Sequence, residues 1–311
     1  MNEDLLIVRV AELYYDENKT QDEIGALLKI SRWKVGRLLT QARVKGIVRI
    51  EIVHPRARRL GLERDVVERF RLADAVVVPT PDDETTVLER VAQAAADHLA
   101  AMRPVPRTLA VSWGRTLSAV ADALPEGWAN GVSVVQLNGG VSLNRRSGGA
   151  ASLAMTIAQR AGGQATLLPS PAILERVETK QAIESDRTVA AILEQAADAQ
   201  TYLFSAGPAD ASSAHVENGY LKPVDIEELA RRGAVGDVLG RYIDADGNVV
   251  DPQLDARTVG VSLDRLRSAA QTIFVTAGSA KHDIARTVVS NGLCSVLVTD
   301  ETTARALLEE R

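Results

Sequence analysis

One cysteine in 311 residues, Cys294, rules out an intrachain disulfide framework. It lies in Cys294-Ser295-Val296-Leu297-Val298, a run of buried-strand character, and reads as core rather than as a nucleophile. Long apolar runs are missing too: none approaches the ~20 residues a membrane helix needs. The chain begins Met1-Asn2-Glu3-Asp4, acidic where a secretory leader would be basic. A soluble, cytoplasmic protein without membrane association is therefore expected. The few histidines, His54, His98, His215 and His282, are scattered singly, with no pair at metal-ligand spacing. Neither a metal nor another cofactor is expected. Basic charge is in overall deficit, with 36 Lys and Arg against 41 Asp and Glu, a net charge of -5 and a pI near 5.6. Taken globally, that balance argues against nucleic acid.

The charge is unevenly placed. From Lys29 to Arg59 ten Lys or Arg stand against one acid, Glu51, and the chain after Arg59 is acidic overall. Such asymmetry marks a nucleic-acid-binding arm on a different kind of domain. Within the arm, Thr20 is a helix N-cap candidate with Glu23 three residues on, as in a capping box. Ile24, Leu27 and Leu28 form an apolar stripe at helical spacing. A turn at Lys29-Ile30 leads to a second N-cap candidate, Ser31, and Val35, Leu38 and Leu39 repeat the stripe. This spacing predicts a helix-turn-helix, preceded by a helix from about Asp4 to Glu17 with Leu6, Val10, Leu13 and Tyr14 on its apolar face.

The second helix of such a pair enters a major groove with its first turns. Ser31, Arg32, Trp33, Lys34 and Arg37 are the candidates at DNA, with Thr20 and Gln21 as clamps on the backbone. For Trp33, packing against the domain core is an equal alternative. Gly46 suits a helix end, residues 47–53 alternate as a half-exposed strand, and residues 54–59 form a basic linker able to touch phosphate.

From Gly61 onward strands alternate with helices. The strand-like runs are 75–78, 108–112, 133–137, 164–168, 201–204, 272–276 and 295–298. Helical stretches at 85–102, 116–124, 149–161, 188–199 and 281–291 separate most of them. That alternation predicts an α/β domain with a mostly parallel sheet covered by helices, whose ligands bind beyond the strand carboxyl ends. The loops there are small and polar: Ser112-Trp113-Gly114-Arg115-Thr116, Asn138-Gly139-Gly140, Ser205-Ala206-Gly207 and Ala277-Gly278-Ser279-Ala280-Lys281. Small residues let backbone N–H groups approach an anion, and Arg115 and Lys281 stand at helix starts to add charge. A phosphate-binding cleft is expected.

Together with the helix-turn-helix, these loops resemble the SorC-type sugar-binding transcriptional regulators. Further carriers are Gly233-Ala234-Val235-Gly236-Asp237-Val238-Leu239-Gly240-Arg241, Val259-Gly260-Val261-Ser262-Leu263 and Thr299-Asp300-Glu301-Thr302-Thr303-Ala304. The match spans nearly the whole chain. It implies a homo-oligomer, usually a tetramer, that holds operator DNA under control of a phosphorylated sugar or related metabolite. It implies an effector domain resembling the ribose-5-phosphate isomerase and glucosamine-6-phosphate deaminase fold. Domains are accordingly expected at 1–53 (DNA), 54–60 (linker) and 61–311 (effector binding and oligomerisation). By motif, Ser112, Gly114, Arg115 and Thr116 would cradle one part of the effector. Asp237, Arg241 and Lys281 would hold the rest, with Lys281 on a phosphate, and Asn138 and Gly139 would line the floor.

Two departures stand out. Ser279 replaces a glycine often found before the lysine-bearing helix, and residues 141–147 lack the lysine with which some relatives form a Schiff base. A covalent adduct from that loop is not expected.

Two other classes compete. A sugar-phosphate isomerase or deaminase with a DNA arm would need a positioned acid and base. Asp237, Asp300 and Glu301 are available, but Asp300 and Glu301 open the last helix, where acids favour the dipole. A metal or redox sensor finds no ligand cluster. The regulator, a repressor relieved by its effector and not an enzyme, is the expectation.

Overall fold

The computed structural model describes residues 3–48, 58–80, 83–141 and 149–309. Its contacts divide the chain into two compact units, Met1–His54 and Pro55–Arg311.

The first unit holds α1 (Glu3–Tyr15), α2 (Gln21–Leu28) and α3 (Arg32–Val44). The capping box forms: Thr20 Oγ1 accepts from the Glu23 N–H at 3.3 Å, and the Thr20 N–H donates to Glu23 Oε2 at 2.8 Å. Lys29 ends α2 in the left-handed region, and Ser31 Oγ accepts from the Lys34 N–H to start α3. Ile7, Val10, Leu13, Ile24, Val35, Leu38 and Leu39 close a single core. Leu6, Tyr14 and Leu28 lie at its margin, whereas Leu27 is exposed, its position turned off the buried stripe. Ile47 and Val48 lie in a bend; the rest of the strand expected there, and residues 54–57 of the basic linker, fall outside the described residues. So do residues 142–147 of the loop lacking a lysine.

The second unit opens with α4 (Leu60–Phe70), β1 (Asp74–Val78), α5 (Glu84–Ala101), β2 (Thr108–Val111), α6 (Arg115–Ala123), β3 (Ser133–Gln136), α7 (Ala150–Arg160) and β4 (Gln164–Thr166). Next come α8 (Val177–Glu184), α9 (Arg187–Ala197), β5 (Thr201–Phe204), β6 (Ala206–Pro208), the short α10 (Ala214–Glu217), α11 (Pro223–Arg231), β7 (Gly236–Val238) and β8 (Arg241–Ile243). The chain closes with α12 (Pro252–Asp255), α13 (Leu263–Ser268), β9 (Thr272–Val275), a 3-10 turn Ser279–Lys281, α14 (His282–Ser290), β10 (Val296–Asp300) and α15 (Glu301–Leu308).

The seven expected strand runs make the main sheet, in the order β1-β10-β9-β5-β2-β3-β4, with every pairing parallel. Alternate residues feed opposite faces. Val77, Ala110, Val135, Tyr202, Phe204, Phe274 and Leu297 pack under α4, α9, α14 and α15. Val78, Leu109, Val111, Val134, Leu203, Val275 and Val298 pack under α5, α6 and α7. Burial on both faces explains why these strands read as continuous apolar runs. Strands β6, β7 and β8 form a separate antiparallel sheet that the sequence pattern did not predict; at three residues each they are too short to show a period.

The described end of the linker is committed to the second unit. Arg58 grips Glu63 through two hydrogen bonds of 2.7 and 2.9 Å, and the Arg59 N–H donates to the Val77 carbonyl of edge strand β1 at 2.8 Å.

Gly25 tests the packing of the helix-turn-helix. A Cβ there would stand 2.8 Å from the Ile30 carbonyl oxygen, the backbone of the turn itself. Alanine normally favours a helix interior by about 1 kcal/mol over glycine. Here Gly25→Ala is expected to destabilise the unit by about 1–3 kcal/mol through overpacking. A denaturation series in which the variant gains stability would refute that reading of the turn.

Candidate functional site

Strand order reverses between β2 and β5. From β2 the chain proceeds outward to β3 and β4; from β5 it proceeds the other way to β9 and β10. Beyond such a switch point a crevice opens at the strand carboxyl ends. Here it is a cleft of about 410 Å³, within the usual range for small-molecule sites. The loops after β2, β3, β5 and β9 line it, joined by β7 and α10.

Ser112, Gly114, Arg115, Thr116, Asn138, Asp237 and Lys281 all line this cleft. Lys281, in the 3-10 turn after β9, donates from Nζ to Thr116 Oγ1 at 3.1 Å and to Ser205 Oγ at 3.4 Å. The cleft walls strip water from its ammonium, and the Arg115 guanidinium repels it, so its pKa is lowered to about 8; Asp237 opposes the shift. Arg115 begins α6 with a largely exposed side chain, Nη1 lying 3.9 Å from Glu217 Oε1. Ser112 Oγ donates to Asn138 Oδ1 at 2.9 Å, both groups buried. Asp237, on β7, accepts from the Gly240 N–H at 3.0 Å.

Two expected effector contacts are placed elsewhere. Arg241 does not line the cleft: its buried guanidinium meets Asp255 at 3.0 Å and donates to the Leu239 and Gly260 carbonyls. A charge at that depth requires such partners, so the side chain acts as a brace. Gly139 packs against backbone instead; a Cβ there would stand 2.1 Å from the Pro171 oxygen. Its carbonyl accepts from Trp113 Nε1 at 2.8 Å, fixing the indole that does line the cleft.

The sequence places the Ser205 loop at the cleft without naming Ser205 as a contact, and it does not point to His215, which also lines the cleft. Ser205 follows β5 in a loop whose small residues were a visible signal, whereas His215 comes from a four-residue helix with no periodicity to place it. Asp300 is an N-cap, buried and bonded to Thr80, Thr303 and the Gly278 N–H. Glu301 pairs with Arg59 and Arg305.

On the first unit, Ser31, Arg32, Trp33, Lys34 and Arg37 form the exposed face of α3, and Thr20 is exposed at the start of α2. Trp33 does not pack against the core: it is 89% exposed. Arg32 reaches Asp22 of α2 at 3.5 Å, and the Gln21 side chain lies beside Gly36 of α3, where a Cβ would meet its Oε1 at 3.4 Å. The first turns of α2 and α3 therefore share one polar surface. Among the described residues no helix is long and apolar enough to cross a membrane.

A helix-turn-helix unit followed by an α/β unit with a polar small-molecule cleft is the build of a transcriptional regulator with a ligand-binding domain. Residues 54–309 match the family model Sugar-bind, "Putative sugar-binding domain". The chain belongs to the SorC-type sugar-binding transcriptional regulators. It is 31% identical over 307 residues to the deoxyribonucleoside regulator of Bacillus subtilis, covering 98% of this chain and 97% of that protein. It is 26% identical over 310 residues to the erythritol catabolism regulatory protein EryD of Brucella abortus, covering 98% and 97%. The full-length sorbitol operon regulator SorC of Klebsiella pneumoniae superposes with a TM-score of 0.73 at 27% identity, over 99% of this chain and 100% of that one.

The lowered pKa of Lys281 sets a pH dependence. Between about pH 8 and its ordinary value of 10.5 the unfolded chain holds a proton the native one has released, so this group's contribution to stability rises with pH across that window. An anion at Nζ favours the charged form and reverses the preference. Inorganic phosphate is therefore expected to bind with proton uptake above about pH 8, losing up to about tenfold in affinity per unit. Calorimetry from pH 7.5 to 9.5 checks this, and a flat profile removes Lys281 as the anion anchor.

Proposed function

We propose that this protein regulates a carbohydrate-metabolism operon by binding operator DNA through residues 1–53, under control of a phosphorylated sugar or related metabolite held within residues 61–311. Residues 54–60 link the two, and the assembly is a cytoplasmic homotetramer. The protein is a repressor released by its effector, with no catalytic activity and no cofactor.

The observation that carries the reading is the convergence at Lys281: an ammonium among the Thr116 and Ser205 hydroxyls, near Arg115, at the carboxyl ends of adjoining strands. That is a donor set for an anion and has little use without one. In this reading Ser112, Gly114, Arg115, Thr116, Asn138, Asp237 and Lys281 meet the effector. Gly139 and Arg241 support them from behind. Ser31, Arg32, Trp33, Lys34 and Arg37 meet DNA, with Thr20 and Gln21 on its backbone.

Consecutive residues support the gating. Asp300 holds the Gly278 N–H of the cleft loop, and Glu301 holds Arg59 at the linker. An effector that favours one arrangement of the loop has a path to the linker, and it shifts the equilibrium only by its differential affinity for the two states. An enzyme is disfavoured because the acids of the alternative reading are not brought together. Asp237 faces the cleft, whereas Asp300 and Glu301 are committed as a cap and in ion pairs.

The test is binding of the full chain to DNA upstream of its own gene, with and without a pool of sugar phosphates, at low and moderate salt. Specific binding that weakens steeply with salt and changes with the pool is expected. Binding indifferent to the pool removes the effector assignment; turnover of a pentose or amino-sugar phosphate restores the enzyme. Arg37→Gln is expected to weaken operator binding about tenfold and to lower the salt slope by about one. Unchanged affinity removes Arg37 from the interface.

A further inference from the structure

The wall of the cleft built by α10 and β7 holds a histidine that the anion reading does not use. His215 is 3% exposed and lines the cleft. Trp113 meets its ring edge-on with centroids 5.6 Å apart. The Tyr242 hydroxyl lies 3.3 Å from Nδ1, and Asp237 Oδ1 lies 3.7 Å from the same atom. The other nitrogen, Nε2, is buried without a hydrogen-bond partner. It faces Gly240, also of the cleft lining, where a Cβ would stand 3.3 Å away. An orphaned polar atom at such depth is uncommon, and a cleft that is filled in use supplies the missing partner.

The neighbours assign its hydrogen. Burial pushes the Tyr242 phenol well above its usual range, so it keeps its proton, and Ser213 Oγ at 2.9 Å can accept that proton. With Tyr242 donating to Ser213, Nδ1 carries the ring hydrogen, facing the Tyr242 oxygen at 3.3 Å and the Asp237 carboxylate at 3.7 Å. In the neutral imidazole this leaves Nε2 as a bare acceptor. Phosphate oxygens, ring oxygens and carbonyls have no proton to give it. Asp237 beside it is likewise an acceptor, and it disfavours a second carboxylate on the ligand.

We infer that His215 determines effector specificity, its Nε2 accepting a hydrogen bond from a hydroxyl of the bound metabolite beside Asp237. This rests on the effector reading of the cleft and narrows it. The ligand is a polyhydroxylated phosphate ester, its anion at Lys281 and Arg115 and a hydroxyl at His215, rather than a phosphorylated carboxylic acid or phosphate alone.

Calorimetry on the full chain tests this with inorganic phosphate and a panel of pentose and hexose phosphates. His215→Asn keeps a polar group at the Nδ1 position and removes Nε2; His215→Gln places its amide near Nε2. His215→Asn is expected to weaken the tightest sugar phosphate about five- to fifteenfold, the worth of one hydrogen bond. Inorganic phosphate is expected to change by less than about twofold, and His215→Gln to recover most of the loss. Against the single-deoxy analogue that lacks the contacted hydroxyl, the wild type and His215→Asn are expected to bind alike. Equal weakening of inorganic phosphate, or sugar-phosphate binding within about twofold of the wild type, overturns the assignment. If His215→Asn does not fold, His215→Leu, of similar bulk and without a hydrogen-bonding atom, takes its place: no loss of sugar-phosphate binding, or a loss shared equally by inorganic phosphate, overturns the assignment. Failure of every sugar phosphate to bind the wild type overturns the effector reading itself, which separates that failure from this one.

Discussion

The reversal of strand order between β2 and β5 is the constraint on which the effector unit depends. Those two strands are hydrogen-bonded neighbours, yet the chain leaves them in opposite directions across the sheet. Helices α5, α6 and α7 therefore cover one face, and α4, α9, α14 and α15 the other. Between the two sets, at the strand carboxyl ends, the cleft opens, walled by β7 and α10. The polar residues that begin the following helices meet there, because each sits where its strand stops and its helix has yet to bury an apolar face.

Electrostatics follow from that geometry. A lysine in a narrow crevice loses solvation, and a neighbouring arginine adds repulsion, so the cleft holds its positive charge at a cost. A bound anion relieves both terms. The acceptors at Asp237 and His215 stand on the small antiparallel sheet and a short helix, outside the main sheet, so one set of elements supplies donors and another supplies acceptors. Polarity of that kind orients a ligand as well as holding it.

The helix-turn-helix was legible almost residue by residue. Its signals are local: a cap at Thr20, a cap at Ser31 and apolar residues at helical spacing act within one or two turns. Trp33 was not settled by pattern, because a tryptophan in a first helical turn fits either the core or the surface, and only the packed unit leaves it exposed. The main strands were legible because a parallel sheet buried on both faces writes itself as apolar runs. Strands β6, β7 and β8 were not, since three residues carry no period and β6 finds its partner β7 about thirty residues further along the chain.

By itself, then, the sequence determined the order of elements, the basic arm, and the small polar loops that follow the strands, because each depends on neighbours along the chain. The tertiary structure decided which of those loops share a cleft. It put Arg241 and Gly139 behind the wall, one bound to Asp255 and carbonyls, the other pressed on Pro171, although the motif reading had placed both at the effector. It brought His215 to the cleft from a segment with no motif. Burial and hydrogen-bond satisfaction are set by groups distant in sequence, and only the folded chain brings those groups together.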